Sequence, residues 1–269
     1  VALDQVMARL SRNIRDGKRH MLLIGFPIPR RIGEQNSVLH WQGLLLPSLS
    51  FGVLRGYRAS EQNYVSHDAE FVLKDNMPLD WMNSRSWHAG EIGARGHLAA
   101  SLCSKRILII GAGALGSVLA ELMVREGCQD LIVLDADRLQ IGNLCRHTLG
   151  IESLSHPKAS ALAGRLNASV PYARVLQING SFPVSDREQM IEVNSCHIVV
   201  DCTGSDSVLH HLAVFPWTGH KLFVSASVGM HARRLFIFAA KAKCFPHQEF
   251  NEVIRPWIDR ELEENTPLI

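Results

Sequence analysis

At 269 residues, with 46% hydrophobic and 20% charged content, the chain suffices for one large or two modest globular domains. A net charge of +2 excludes nucleic acid or an anionic membrane surface as the main partner, and no apolar run is long enough to span a bilayer. The six cysteines form no Cys-x-x-Cys pair, which argues against a four-cysteine zinc site and predicts reduced thiols in a cytoplasmic protein.

No secretory signal is visible, and Val1 in place of methionine predicts a fragment or a processed chain. Residues 1–17 are predicted helical, because Leu3, Val6, Leu10 and Ile14 recur at helical spacing and Gly17 supplies a left-handed stop. Residues 21–29, 40–47 and 70–75 read as short strands between polar, glycine-containing turns. Residues 75–87 are turn-rich and aperiodic, and a domain boundary is placed near 75–95. The expected organisation is a small α+β region over 1–85 and a second domain over 86–269.

From Lys105 onward, strands and helices alternate. Residues 106–111 form an apolar strand. Residues 114–126 read as a helix with Leu115, Val118, Leu119, Leu122 and Met123 on its buried face and Gly127 beyond its end. Strands follow at 131–135, 174–178 and 197–201. Helices are predicted over 157–167, with proline at the start, and from a capping box of Ser185 and Glu188. A short helix over 207–214 precedes strands at 222–227 and 232–240, which follow each other directly and so predict an antiparallel edge. This alternation implies an α/β fold, a Rossmann-like, doubly wound and mainly parallel sheet.

Gly111, Gly113 and Gly116 lie between a strand and a helix, the setting of a dinucleotide-binding loop. Gly111 permits the tight turn, Gly113 lets backbone approach phosphate, and Gly116 lets the helix pack on the strand. Free N–H groups at Ala114 and its neighbours, with the positive helix end, favour an anion. Asp135 closes the second strand, where a carboxylate accepts ribose hydroxyls, and Asp137 follows two residues on. These features do not separate NAD from ATP. The next loop adds Asn143, Arg146 and, at a helix start, Lys158. Two cations and an amide beside a nucleotide suit a triphosphate. Asp201 ends the fourth strand and should converge with Asp135 on one crevice, as a candidate Mg²⁺ ligand or, alternatively, as a cap for the next helix. Cys196 and Cys202 read as core thiols, and nothing marks Cys145 as activated. His147 could touch a nucleotide, although a packed or solvated histidine is the simpler reading.

The motifs GAGALGS, D-x-D, GNLCRH, HPKA and VVDCTGS, in this order across residues 92–240, resemble the ThiF/MoeB/ubiquitin-activating enzymes. The resemblance implies activation, with ATP and Mg²⁺, of the C-terminal carboxylate of a ubiquitin-like or sulfur-carrier protein by a homodimer. By position, Asp135 would hold the ribose, Asn143, Arg146 and Lys158 the phosphates, and Asp201 the Mg²⁺. The stretch SRSWHAGEIGARG is most similar to bacterial ubiquitin-like conjugation proteins of antiviral defence operons (CBASS or Bil type). There a linker or inactive adenylation-like region precedes the active domain, a role expected of residues 1–85. The family's zinc-binding Cys-x-x-Cys pairs are missing. Arg95 is the nearest counterpart of an arginine the family takes from an N-terminal segment. An acyl-accepting cysteine, with a conjugating partner protein, would be Cys244 or a residue beyond Ile269. The rival readings are a nicotinamide-dependent oxidoreductase and a non-catalytic adenylation-like scaffold.

Overall fold

The computed structural model describes residues 14–29, 32–74, 78, 80–85, 92 and 98–265. The chain divides into two compact units, Val1–Trp87 and His88–Ile269.

In the first unit, β1 (Met21–Pro29) and β2 (Asn36–Leu45) pair antiparallel, and β3 (Asp80–Met82) adds to β2. The short strand β3 falls inside the stretch read as turn-rich. The expected strand over 70–75 is not formed. Helix α1 (Glu61–His67), capped by the Ser60 side chain, instead runs on as a wide turn through Asp68–Val72. The reason is the buried Asp68 carboxylate, which accepts from Ser50 N–H at 2.8 Å and pairs with Arg15. That anchor holds the chain against the helix end and denies residues 70–72 a strand partner. Of the helix expected over residues 1–17, residues 14–17 are described and are not helical, and residues 1–13 lie outside the described residues; Gly17 has φ of 75°, a left-handed turn rather than the stop of a described helix.

In the second unit a single turn, α2 (Ala100–Cys103), precedes a six-stranded sheet. Its strands are β4 (Arg106–Ile110), β5 (Asp130–Leu134), β6 (Arg174–Ile178), β7 (Ile198–Asp201), β8 (Lys221–Val228) and β9 (Leu235–Ala242), in the order β6-β5-β4-β7-β8-β9. All pairings are parallel except β8 with β9, the antiparallel edge that two strands without an intervening helix predict. Because the first strand sits between β5 and β7, the order reverses direction there and leaves a crevice beyond the carboxyl ends of the strands. The central strands are solid apolar runs, with Ile107, Leu108, Ile109, Leu131, Ile132 and Val133 fully buried under helices on both faces.

Helices α3 (Ala114–Arg125), α4 (Lys158–Ser169), α5 (Arg187–Ser195), α6 (Asp206–Val214) and α7 (His247–Asn265) complete the unit. Three details depart from the sequence reading. The most deeply buried face of α3 is the small one, Gly116, Ser117, Ala120 and Val124; of the expected face, Leu119 and Met123 pack beside it, while Val118 and Leu122 are exposed. Close approach of helix to strand selects residue size over hydrophobicity. The cap of α5 is Asp186 rather than Ser185, its carboxylate accepting from the N–H groups of Glu188 and Gln189. Finally, α7 was not predicted; it buries Phe250 and Ile254 against the sheet and accommodates Pro256 on its exposed side.

Candidate functional site

A crevice of about 270 Å³ opens where the strand order reverses. Its floor is the glycine loop between β4 and α3. Gly111 has φ of 90°, and a Cβ there would fall 2.9 Å from Thr203 Cγ2, so the turn accepts no side chain. A Cβ on Gly116 would lie 1.8 Å from the Gly111 carbonyl oxygen, which fixes how closely α3 sits on the loop. Gly113 differs, because a Cβ there meets nothing within 4 Å although the residue lines the crevice. Space that protein atoms do not fill is what a close-approaching ligand needs. Gly113 is also the N-cap of α3 and offers no side-chain cap. The first N–H groups of the helix, at Ala114 and beyond, are therefore directed at the opening with the positive end of the helix dipole.

One wall comes from the end of β5. Asp135 lines the crevice and steadies the loop beside it. Its Oδ2 accepts from Ala112 N–H at 2.6 Å and its Oδ1 from Asp137 N–H at 2.7 Å. Each carboxylate oxygen retains a second acceptor site, so hydroxyls of a ligand can still donate to it. Asp137 and Lys158 face each other across the same wall: Lys158 Nζ donates to Asp137 Oδ2 at 2.8 Å. Lys158 is buried apart from 7% of its surface, and its backbone N–H also donates to the Asp137 carbonyl. A cation at a helix start opposes the dipole, and Asp137 compensates it within the chain.

The opposite wall is formed by Cys202, Thr203 and Val208, and the far end by Gly180, Ser181 and Phe182 beyond β6. Asp201 itself is sealed, with 1% of its surface exposed. Its Oδ1 accepts from the Thr203 hydroxyl at 2.6 Å and the Thr203 N–H at 3.1 Å, and its Oδ2 from Ser225 Oγ at 3.4 Å. The Thr203 hydroxyl oxygen in turn accepts from Ser205 N–H, at the N-cap of α6. Burial pushes the Asp201 carboxyl up, against the Thr203 and Ser225 hydrogen bonds that pull it down.

The structure thus brings Gly111, Gly113, Asp135, Asp137 and Lys158 together and leaves other candidates elsewhere. Asn143 Oδ1 accepts from Gln140 N–H at 3.0 Å and closes its own turn. Arg146 is exposed, does not line the crevice, and makes no side-chain ion pair among the described residues. Arg95 lies outside the described residues. Cys244 and Cys145 are exposed and away from the crevice lining. Burial pushes the Cys196 and Cys202 thiols up to about 12; Cys196 is a core thiol, whereas Cys202 is half-buried and lines the crevice. Asp201, the expected metal ligand, turns its carboxylate inward, so as arranged it does not fit a cation held in the crevice. No cluster of three or more potential metal-binding side chains occurs among the described residues.

Sequence reasoning missed Gly180, Ser181 and Thr203, although each follows the carboxyl end of a parallel strand, the signal that points to a ligand crevice. His147, read as packed or solvated, is packed: its Nε2 donates to the Ala112 carbonyl.

The ThiF family model matches residues 84–256, and the model described as the Cap2 central linker domain matches residues 1–87. The ATP-dependent ubiquitin transferase-like protein Cap2 of Enterobacter hormaechei is 36% identical over 96% of this chain and 45% of its own length. The adenylyltransferase and sulfurtransferase UBA4 of Yarrowia lipolytica is 32% identical over 44% of this chain and 29% of its own length. The chain therefore spans less than half the length of these relatives. The E. coli MccB structure with ATP is 16% identical over 47% of this chain and 38% of that one, with a TM-score of 0.41.

Proposed function

Because the chain belongs to the ThiF family, we propose that it is an ATP-dependent adenylyltransferase activating the C-terminal carboxylate of a ubiquitin-like or sulfur-carrier protein. The observation that carries this reading is the meeting of an open glycine loop, a hydroxyl-accepting Asp135 and a buried Lys158 in one crevice. In it, Asp135 receives the ribose hydroxyls of ATP. The first N–H groups of α3 and the Lys158 ammonium receive phosphate oxygens, with Asp137 yielding Lys158 as the stronger anion arrives. Arg146, exposed and unpaired among the described residues, is the proposed outer phosphate contact.

The carrier carboxylate is already ionised at neutral pH, so no general base is needed for its attack on the α-phosphorus. One P–O bond forms, the bond to the leaving pyrophosphate breaks, and the protein's part is positioning and charge neutralisation. No step is assigned to Mg²⁺, because Asp201 is committed to Thr203 and Ser225. Residues 1–87 are proposed as the linker preceding the adenylating domain, which would act as a cytoplasmic homodimer in antiviral defence and pass its product to a conjugating protein.

ATP–pyrophosphate exchange with the cognate carrier tests the reading. Carrier-dependent exchange is expected. ATP binding without exchange would favour the scaffold, and preference for NAD over ATP the oxidoreductase.

A further inference from the structure

Between the two ligand-facing glycines, the peptide groups of Ala112 are held by side chains from both sides. The N–H donates to Asp135 at 2.6 Å, and the carbonyl accepts from His147 Nε2 at 2.5 Å. The other ring nitrogen of His147, Nδ1, accepts from Leu149 N–H at 3.1 Å. Only one state of the imidazole satisfies both of its bonds, the neutral ring with its proton on Nε2. The other neutral tautomer sets two donors face to face at Leu149 and turns a lone pair toward the Ala112 carbonyl. The charged ring keeps the Ala112 bond and confronts Leu149 N–H with a second donor. Ala112 is fully buried, so an unbonded carbonyl there is costly.

We propose that His147 is a positioning residue for nucleotide binding, its neutral Nε2–H tautomer fixing the glycine loop through Ala112 and coupling that loop to the segment carrying Arg146. The inference rests on the nucleotide reading of the crevice. The surroundings hold the ring in the required state. Burial is the largest influence and lowers its pKa, Lys158 and Arg165 act in the same direction, and Asp135 and the Ala112 carbonyl oppose them. A lowered value means that the doubly bonded neutral state is complete above the ordinary histidine range, and that its Leu149 bond, though not its Ala112 bond, is lost as pH falls through the lowered one. Nucleotide affinity should follow the same course.

The test compares ATP binding by the full chain and two variants across about pH 8 to 5. His147→Leu is expected to lose about tenfold in affinity at the upper end, the order of one hydrogen bond left unmade at a buried carbonyl. His147→Gln is expected to restore most of that loss, because its amide donates to Ala112 and its carbonyl accepts from Leu149, and to abolish the decline at low pH, because it does not titrate. An acid decline in His147→Gln identical to that of the unaltered chain would overturn the proposal. Nitrogen NMR of the unaltered chain supplies a readout independent of ligand. It should find the Nε2–H tautomer and a midpoint below the ordinary histidine value, and an Nδ1–H tautomer would overturn the assignment. If no ATP binds at all, the adenylation reading fails, while the tautomer still decides whether His147 holds the loop.

Discussion

The two walls of the crevice start from the same part, an aspartate at the carboxyl end of a parallel strand, and use it in opposite ways. At the end of β5, Asp135 faces the opening and binds only backbone N–H groups, and Lys158 stands beside it. At the end of β7, Asp201 is sealed and bound by the hydroxyls of Thr203 and Ser225. A strand end places a carboxylate near the crevice, but the residues that follow decide where it points. After Asp135 come Ala136 and Asp137, which offer a backbone N–H. After Asp201 come Cys202 and Thr203, whose hydroxyl and N–H reach back to the same oxygen.

The comparison can be broken most severely at the loop both walls share. Gly116→Ala should cost about 3 kcal/mol or more, because its Cβ has no room beside the Gly111 carbonyl, and thermal unfolding would read the loss. On the open wall, Lys158→Ala should reduce ATP–pyrophosphate exchange about a hundredfold, with little change in melting temperature, since the abandoned Asp137 is well exposed. On the sealed wall the balance should invert. Asp201→Ala strips partners from Thr203 and Ser225 and should destabilise the fold by about 2 kcal/mol, a larger free-energy effect than its loss of ATP affinity. Abolished exchange with unaltered melting would instead make Asp201 a ligand-binding group. The smallest effect sharpens the argument from empty space: Gly113→Ala should leave stability unchanged and weaken ATP by about tenfold, as measured by calorimetry.

The parallel sheet of the second unit was legible because its signals are local. Uninterrupted apolar strands, a glycine loop and a proline-led helix each fix one element without reference to the others. What escaped depends on partners distant in sequence. The α3 face was only partly legible, because hydrophobicity points to Leu119 and Met123 but says nothing about how closely a neighbouring strand approaches Gly116 and Ala120. Residues 70–72 carry a strand-like composition, but the Arg15–Asp68 pair, 53 positions apart, binds them to a helix end. At the site, Gly111, Asp135 and Lys158 were readable from type and spacing. The inward turn of Asp201 was not, although Thr203 two residues later is the hydroxyl that makes such a turn possible. His147 stood within the GNLCRH motif, but its partner could not be read, since a hydrogen bond to a backbone carbonyl imposes no pattern on the residues around it.

The pairing of β4 with β7 has a kinetic consequence. His197 N–H bonds the Arg106 carbonyl across 91 positions of sequence, while β4, β5 and β6 neighbour one another in order of synthesis. The floor and the Asp135 wall can assemble as the polypeptide emerges from the ribosome, but Cys202 and Thr203 arrive only after that long loop has closed. A nascent chain arrested before Ile198 would present the glycine loop to solvent half-walled, and capture on an immobilised nucleotide should begin only once β7 has been translated and seated.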